Sequence, residues 1–245
     1  MKFLAVILAL ALVMPLSAVA WAPANGEPSV SYSQKEAQHK AFHWIILTND
    51  STPSPSGLNI ERDAAAGCTA YAISKHVLLT AQHCDLPDAK LLIDTMGNPH
   101  DDQVLSQAVP IVEKVYDGRD HMLLVIPSVT FKDTIKYEPK KFRLAVQGEQ
   151  VYFWGNPDWF HNMYREGYLM GIILTDADED LAPVGSALYV FDMNGNHGDS
   201  GSAIFSAKDG RIVGIVTYGL QDAKYIGSYV LSFTPEQVKE AEGRK

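Results

Sequence analysis

Three short segments of this 245-residue chain carry side chains that could work together. They are Leu79-Thr80-Ala81-Gln82-His83-Cys84, Arg119-Asp120-His121-Met122-Leu123-Leu124-Val125 and Asn196-His197-Gly198-Asp199-Ser200-Gly201-Ser202-Ala203. A serine hydroxyl is a weak nucleophile until an adjacent base takes its proton. Acyl transfer further needs an acid that orients the base, and backbone donors aimed at the developing oxyanion. Ser200, His83 and Asp120 are the right types for those parts. Each segment alone has a plainer reading. A histidine in an apolar strand is usually a core or surface residue, Gly-Asp-Ser-Gly can be an ordinary turn, and acids before strands are common. Asp117 is a nearby rival acid, and the apolar run that follows Asp120 favours Asp120.

Taken together, the segments resemble trypsin-like serine peptidases. The first is similar to that family's Thr-Ala-x-His-Cys motif, with Cys68 upstream at the separation the family uses for a bridge to the cysteine after the histidine. The last is similar to its Gly-Asp-Ser-Gly nucleophile loop, followed by the apolar run Ala203-Ile204-Phe205, a turn at Asp209-Gly210 and the strand Ile212 to Val216. The middle one is similar to Asp-x-x-Leu-Leu. The order His, Asp, Ser is the trypsin-like one, unlike those of subtilisin-like enzymes or α/β-hydrolases. Ser202 departs from the commoner second glycine, as in bacterial and viral relatives. Trp154-Gly155-Asn156-Pro157 and Tyr168-Leu169-Met170-Gly171 look like the second-barrel opening of bacterial members near the HtrA type, and no PDZ-sized segment follows.

The resemblance covers about Phe42 to Phe233. It implies a secreted serine endopeptidase with Ser200 as nucleophile, His83 as general base and acid, and Asp120 holding the imidazole. It implies an oxyanion hole from the N–H groups of Gly198 and Ser200, Gly198 supplying the turn that lets them converge. It also implies a Cys68–Cys84 disulfide. The family's side-chain pocket falls on Asn194, Thr217, Tyr218, Gly219 and Gly227, with no carboxylate at its base. Val216 stands where glutamyl-specific relatives have histidine. An uncharged P1 residue is therefore expected. Animal relatives free an Ile or Val amine that pairs with the aspartate before the nucleophile. No matching cleavage sequence is present, so the partner of Asp199 is left open.

Positioning three distant residues requires a scaffold. From Phe42 onward the chain gives short apolar or alternating runs, among them Trp44 to Leu47, Val77 to Ala81, Met122 to Ile126, Gln150 to Trp154 and Tyr168 to Leu174. Turn residues such as Asp117-Gly118 and Asp209-Gly210 separate them. Such short strands bury one face each and need closure to hide their edges, which predicts an all-β fold. The pattern leaves barrel and sandwich open, and the resemblance implies two six-stranded antiparallel β-barrels of the chymotrypsin-like kind with a short C-terminal helix. Thr234-Pro235-Glu236-Gln237 starts that helix, with an N-cap threonine, proline at the first position and glutamine three after the cap. The expected organisation is residues 1–20 signal peptide, 21–40 an extended leader or pro-segment, 41–131 first barrel, 132–143 crossover, 144–233 second barrel, and 234–245 helix and tail.

The signal rests on Lys2, an apolar run from Phe3 to Val13 and the small-residue ending Ala18-Val19-Ala20. Pro15 and Ser17 interrupt the run, against a membrane anchor. With 20 basic against 29 acidic residues and a net charge of -9, the surface repels phosphate backbones, and nucleic acid is not an expected partner. The acidic run Asp176 to Asp180 reads as a solvated loop, a cation site being the alternative. Two cysteines in an exported chain favour a bridge over two buried thiols. The expected partners are protein or peptide substrates of a monomer, in the secreted or periplasmic space, with no cofactor or metal. His39, His43, His76, His100, His121, His161 and His197 show no ligand spacing and read as surface or edge residues, His197 bordering the cleft. Two other functions stay open: a catalytically silent binding module on the same fold, and an esterase or acyltransferase using the same nucleophile.

Overall fold

The computed structural model describes residues 29–49, 65–94, 108–138, 145–157, 162–174, 186–220 and 224–244. Their apolar runs form two curled antiparallel sheets of seven strands each. The first contains β1 (Phe42–Thr48), β2 (Ala65–Ser74), β3 (Val77–Ala81), β4 (Lys90–Asp94), β5 (Val109–Pro110), β6 (Glu113–Tyr116) and β7 (His121–Val125), in the order β5-β4-β1-β2-β3-β7-β6. The second contains β8 (Gln150–Gly155), β9 (Met163–Leu174), β10 (Ala187–Phe191), β11 (Ala203–Ser206), β12 (Ile212–Ile215), β13 (Tyr218–Leu220) and β14 (Tyr225–Tyr229), in the order β12-β11-β8-β9-β10-β14-β13.

Side-chain alternation explains why several strands read as unbroken apolar runs rather than as half-polar ones. Along β7, Met122 and Leu124 enter the interior of the first sheet, while Leu123 and Val125 face a core shared with the second. Along β8, Val151 and Phe153 fill the second interior, while Tyr152 and Trp154 turn to the shared core. The shared core thus joins both sheets through Tyr71, Leu79, Tyr152 and Phe205, with Tyr71 set edge-on to Phe205 at 5.5 Å. The functional segments lie along this junction.

The six-strand count is corrected to seven. The strands that sequence patterning passed over are short pieces at or next to a sheet edge, β5, β6 and β13. β6 reads Glu-Lys-Val-Tyr, with no fully buried residue, so no apolar alternation marks it. The C-terminal helix α2 (Pro235–Gly243) forms as expected. Thr234 accepts from the Gln237 amide and Gln237 reaches back to the Thr234 amide, while Val238 and Ala241 enter the shared core.

In place of an extended leader over residues 21–40, Tyr32–Lys40 form a helix, α1. Ser31 caps it, accepting from the Gln34 amide at 3.2 Å. The helix is polar and is held by the second sheet. Gln38 donates to the Gly210 carbonyl at 2.7 Å and accepts from the Tyr152 hydroxyl at 2.7 Å, and Lys35 lies 4.4 Å above the Tyr152 ring. Among the described residues no helix is long and apolar enough to cross a membrane. Residues 1–20, the acidic run from Asp176 to Asp180 and part of the expected crossover lie outside the described residues.

Candidate active site

His83 sits in a 3-10 turn, Gln82–Cys84, directly after β3. Cys84 is bonded to Cys68 on β2, so the turn is tied covalently to the neighbouring strand. The Gln82 amide donates to the Asp120 carbonyl at 2.9 Å, and the His83 amide donates to Asp120 Oδ1 at 2.8 Å. Asp120 is fully buried, and its other oxygen lies 2.8 Å from His83 Nδ1. His83 Nε2 lies 2.7 Å from Ser200 Oγ. The three groups therefore form one hydrogen-bonded series from buried carboxylate to nucleophile-type hydroxyl, contributed by both halves of the chain.

Asp120 has φ 62, a left-handed conformation that aspartate tolerates better than most side chains. The rival Asp117 helps explain how that turn is kept. Asp117 Oδ1 accepts from the Arg119 amide at 2.8 Å, and Oδ2 lies 2.7 Å from His121 Nδ1 and accepts from the Ser232 amide at 2.9 Å. These bonds clamp the chain on both sides of Asp120. Burial alone would push the Asp117 carboxyl up. The hydrogen bond and charge of His121, with the Ser232 and Arg119 amides, outweigh it and hold the carboxyl below its usual range. Asp117 thus belongs to the scaffold of the turn and Asp120 is the acid that meets His83.

The expectation that the remaining histidines lie at the surface is corrected for two of them. His121 is fully buried because Asp117 supplies its partner, and His43 is buried against the Phe131 ring, with centroids 5.0 Å apart. His76 is partly buried and bonded to the Val129 carbonyl, His39 pairs with Asn162, and His197 is exposed beside Gly198. His100 and His161 lie outside the described residues. Among the described residues no group of three or more His, Cys, Asp or Glu side chains is placed to hold a metal ion.

The nucleophile-type loop is packed without slack. Gly198 has φ +97, and a Cβ there would lie 2.2 Å from the Asn156 carbonyl oxygen and 3.2 Å from the Trp44 ring. Gly201 has φ +88, and its Cβ would lie 2.0 Å from the Thr69 carbonyl oxygen. Glycine is required at both positions on conformation and on space. Among the described residues, neither the Gly198 nor the Ser200 amide donates to a protein acceptor.

Asp199, fully buried, has a partner that sequence reading did not find. Arg165 on β9 reaches Asp199 Oδ1 at 3.0 Å, while Oδ2 accepts from the Asn196 amide at 2.9 Å. The Arg165 guanidinium also lies 5.1 Å from the Phe153 ring centroid. The available signal was a lone arginine on a strand that alternates into the core, which is weak without knowledge of the register.

Of the pocket residues, Thr217, Tyr218, Gly219 and Gly227 come together around the β13–β14 hairpin. The Thr217 amide donates to the Gly227 carbonyl at 3.1 Å, Tyr218 pairs with Gly227, and Gly219 pairs with Ile226. A Cβ at Gly227 would lie 3.2 Å from both Leu188 and Tyr218. Asn194 is exposed on the segment between β10 and Ser200, next to Gly195, which runs close against Ile226.

Two curled sheets with a serine, a histidine and a buried aspartate joined in series between them define the class of chymotrypsin-like serine peptidases. The Trypsin family model matches residues 32–235. The chain belongs to the trypsin family and is a trypsin-like serine endopeptidase. Solved structures share the fold at low identity. The Rv3671c protease in its inactive form has a TM-score of 0.59 and 16% identity, over 86% of this chain and 93% of that one. The active form of that protease, from M. tuberculosis, has a TM-score of 0.60 and 15% identity, over 86% of this chain and 85% of that one. The HtrA-type protease AlgW, solved with a tripeptide, has a TM-score of 0.59 and 14% identity over 87% of this chain, which spans 64% of the AlgW chain. No curated protein sequence matches.

Proposed function

We propose that this protein cleaves peptide bonds in protein or peptide substrates through an acyl-enzyme on Ser200. Ser200 Oγ attacks the scissile carbonyl carbon as His83 Nε2 takes the hydroxyl proton. The carbonyl π electrons move to oxygen, where the Gly198 and Ser200 amides donate to the oxyanion. As the tetrahedral intermediate collapses, the C–N bond breaks and His83 gives its proton to the leaving amine. Water then repeats the sequence and frees Ser200. Asp120 keeps Nδ1 protonated, so that Nε2 faces the nucleophile as acceptor, and it stabilises the imidazolium. The observation that carries this reading is the unbroken series Asp120 Oδ2, His83, Ser200 Oγ, with contacts of 2.8 and 2.7 Å.

The pocket at Asn194, Thr217, Tyr218, Gly219 and Gly227 holds an uncharged P1 side chain. The absence of a carboxylate among these five residues favours that choice. Residues 1–20 act as a signal, and the mature protein is a secreted or periplasmic monomer. The direct test is casein digestion by the purified protein and by Ser200→Ala. Digestion that survives the substitution would move the nucleophile elsewhere, and turnover of simple esters without peptides would favour the esterase. A peptide-library profile dominated by Arg or Lys at P1 would overturn the pocket assignment.

A further inference from the structure

The loop from Gly198 to Ser200 is gripped by a residue of the other sheet. Thr69 on β2 is fully buried and donates twice into this loop. Its amide donates to the Ser200 carbonyl at 2.8 Å, and its hydroxyl donates to the Gly198 carbonyl at 2.9 Å. Its own carbonyl accepts from the Thr80 hydroxyl at 2.7 Å, which anchors it to β3, the strand that leads into His83. Thr69 therefore holds carbonyls on both sides of Asp199, and it stands immediately after Cys68 of the disulfide.

Glycine at φ +97 has no Cβ to restrict its neighbouring peptide planes, so Gly198 must be fixed from outside. The plane that carries its carbonyl is held by the Thr69 hydroxyl. The loop is also packed against a second segment, since a Cβ on Gly198 would lie 2.2 Å from the Asn156 carbonyl oxygen. A buried carbonyl left without its donor would rotate toward another partner or remain unsatisfied. Either change swings the backbone between the two amides that the proposed reading assigns to the oxyanion.

Resting on that reading, we propose that the Thr69 hydroxyl is a positioning residue of the oxyanion hole, reaching across from the first sheet to set the direction of the Gly198 and Ser200 amides. It touches no reacting atom. Its effect is confined to the charged intermediate and leaves ground-state binding of substrate alone.

The test compares the intact protein with Thr69→Val, which keeps the shape and removes the hydroxyl, and Thr69→Ser, which keeps the hydroxyl. Removing an oxyanion donor outright costs about 10²–10³ in kcat, so misaiming the donors is expected to cost about 10- to 100-fold. KM should stay within about threefold, and Thr69→Ser should recover most of the loss. Inhibition by a peptide aldehyde, whose hemiacetal oxyanion occupies the same place, should weaken in parallel with kcat/KM. If Thr69→Val does not fold, Thr69→Ala supplies the hydroxyl-less form and should show the same kcat loss. The proposal is overturned if the hydroxyl-less form keeps kcat within threefold, if Thr69→Ser is equally impaired, or if aldehyde inhibition is unchanged while kcat falls. Loss of hydrolysis from the unsubstituted protein, or hydrolysis that persists in Ser200→Ala, would instead remove the reading on which the proposal stands.

Discussion

Replacing Arg165 by methionine separates a catalytic loop that is merely packed from one held by charge. The Arg165–Asp199 contact is 3.0 Å, and the side chains are 14% and 1% exposed, so solvent screens the pair little. Two unit charges about 4 Å apart attract by about 4 kcal/mol at the effective dielectric that suits such sites. Methionine keeps the aliphatic stem and leaves the Asp199 carboxylate buried with its cation gone. Breaking a buried pair in this way typically costs about 3–5 kcal/mol. With a urea slope of about 2 kcal/mol/M, the unfolding midpoint should fall by about 2 M. Arg165→Met combined with Asp199→Asn should recover much of that loss, because no buried charge remains to be neutralised. Urea unfolding at neutral pH, followed by tryptophan fluorescence, measures all three proteins. A single variant within 1 kcal/mol of the parent, or a double variant no better than the single, would show that the Arg165–Asp199 pair does not hold the loop by charge.

Other consequences are open to measurement. Gly198→Ala places a Cβ 2.2 Å from the Asn156 carbonyl oxygen at a left-handed φ, so kcat should fall by at least 10²-fold, as measured on a chromogenic peptide. Asp117 is depressed in the folded state, so its contribution is present above the ordinary carboxylate range and is lost as pH falls through the folded value. The stability gap between the parent and Asp117→Asn should therefore shrink on acidification below about pH 4, and a gap independent of pH would contradict this. Removing the Cys68–Cys84 bridge, whose partners are 16 residues apart, should lower stability by about 3 kcal/mol in the loop-entropy picture, read by urea unfolding of a double Cys→Ala form.

Local features of the site were legible in the chain because their chemistry is local. The motif around His83, the glycines flanking Ser200 and the capping box at Thr234 each fit within a few residues, where sequence order nearly sets spatial order. Residues fixed by tertiary contact were not legible. Arg165 meets Asp199 from 34 residues away, and Thr69 meets Gly198 from 129 away. Neither pairing follows from any pattern near either residue. Helix α1 escaped notice for the same reason. Its face carries Gln34, Lys35 and Gln38 in place of an apolar stripe, and its anchors are the Tyr152 hydroxyl and the Gly210 carbonyl on the second sheet. Ser31 caps it, yet a polar helix of nine residues is marginal in isolation and depends on such docking. His121 illustrates the limit in another way. Adjacent to Asp120 and outwardly a polar strand residue, it is buried with its ring Nδ1 hydrogen-bonded to a carboxylate four residues back.

In the proposed reading, His83 and Asp120 make Ser200 a nucleophile. A fluorophosphonate probe reports this most directly, because it reacts with an activated serine and its site is mapped by mass spectrometry of the labelled peptide. One phosphonyl adduct on Ser200 of the folded protein is expected, lost in Ser200→Ala and slowed by at least 10³-fold in His83→Ala. Labelling at another residue, or equal labelling with His83 replaced, would contradict it.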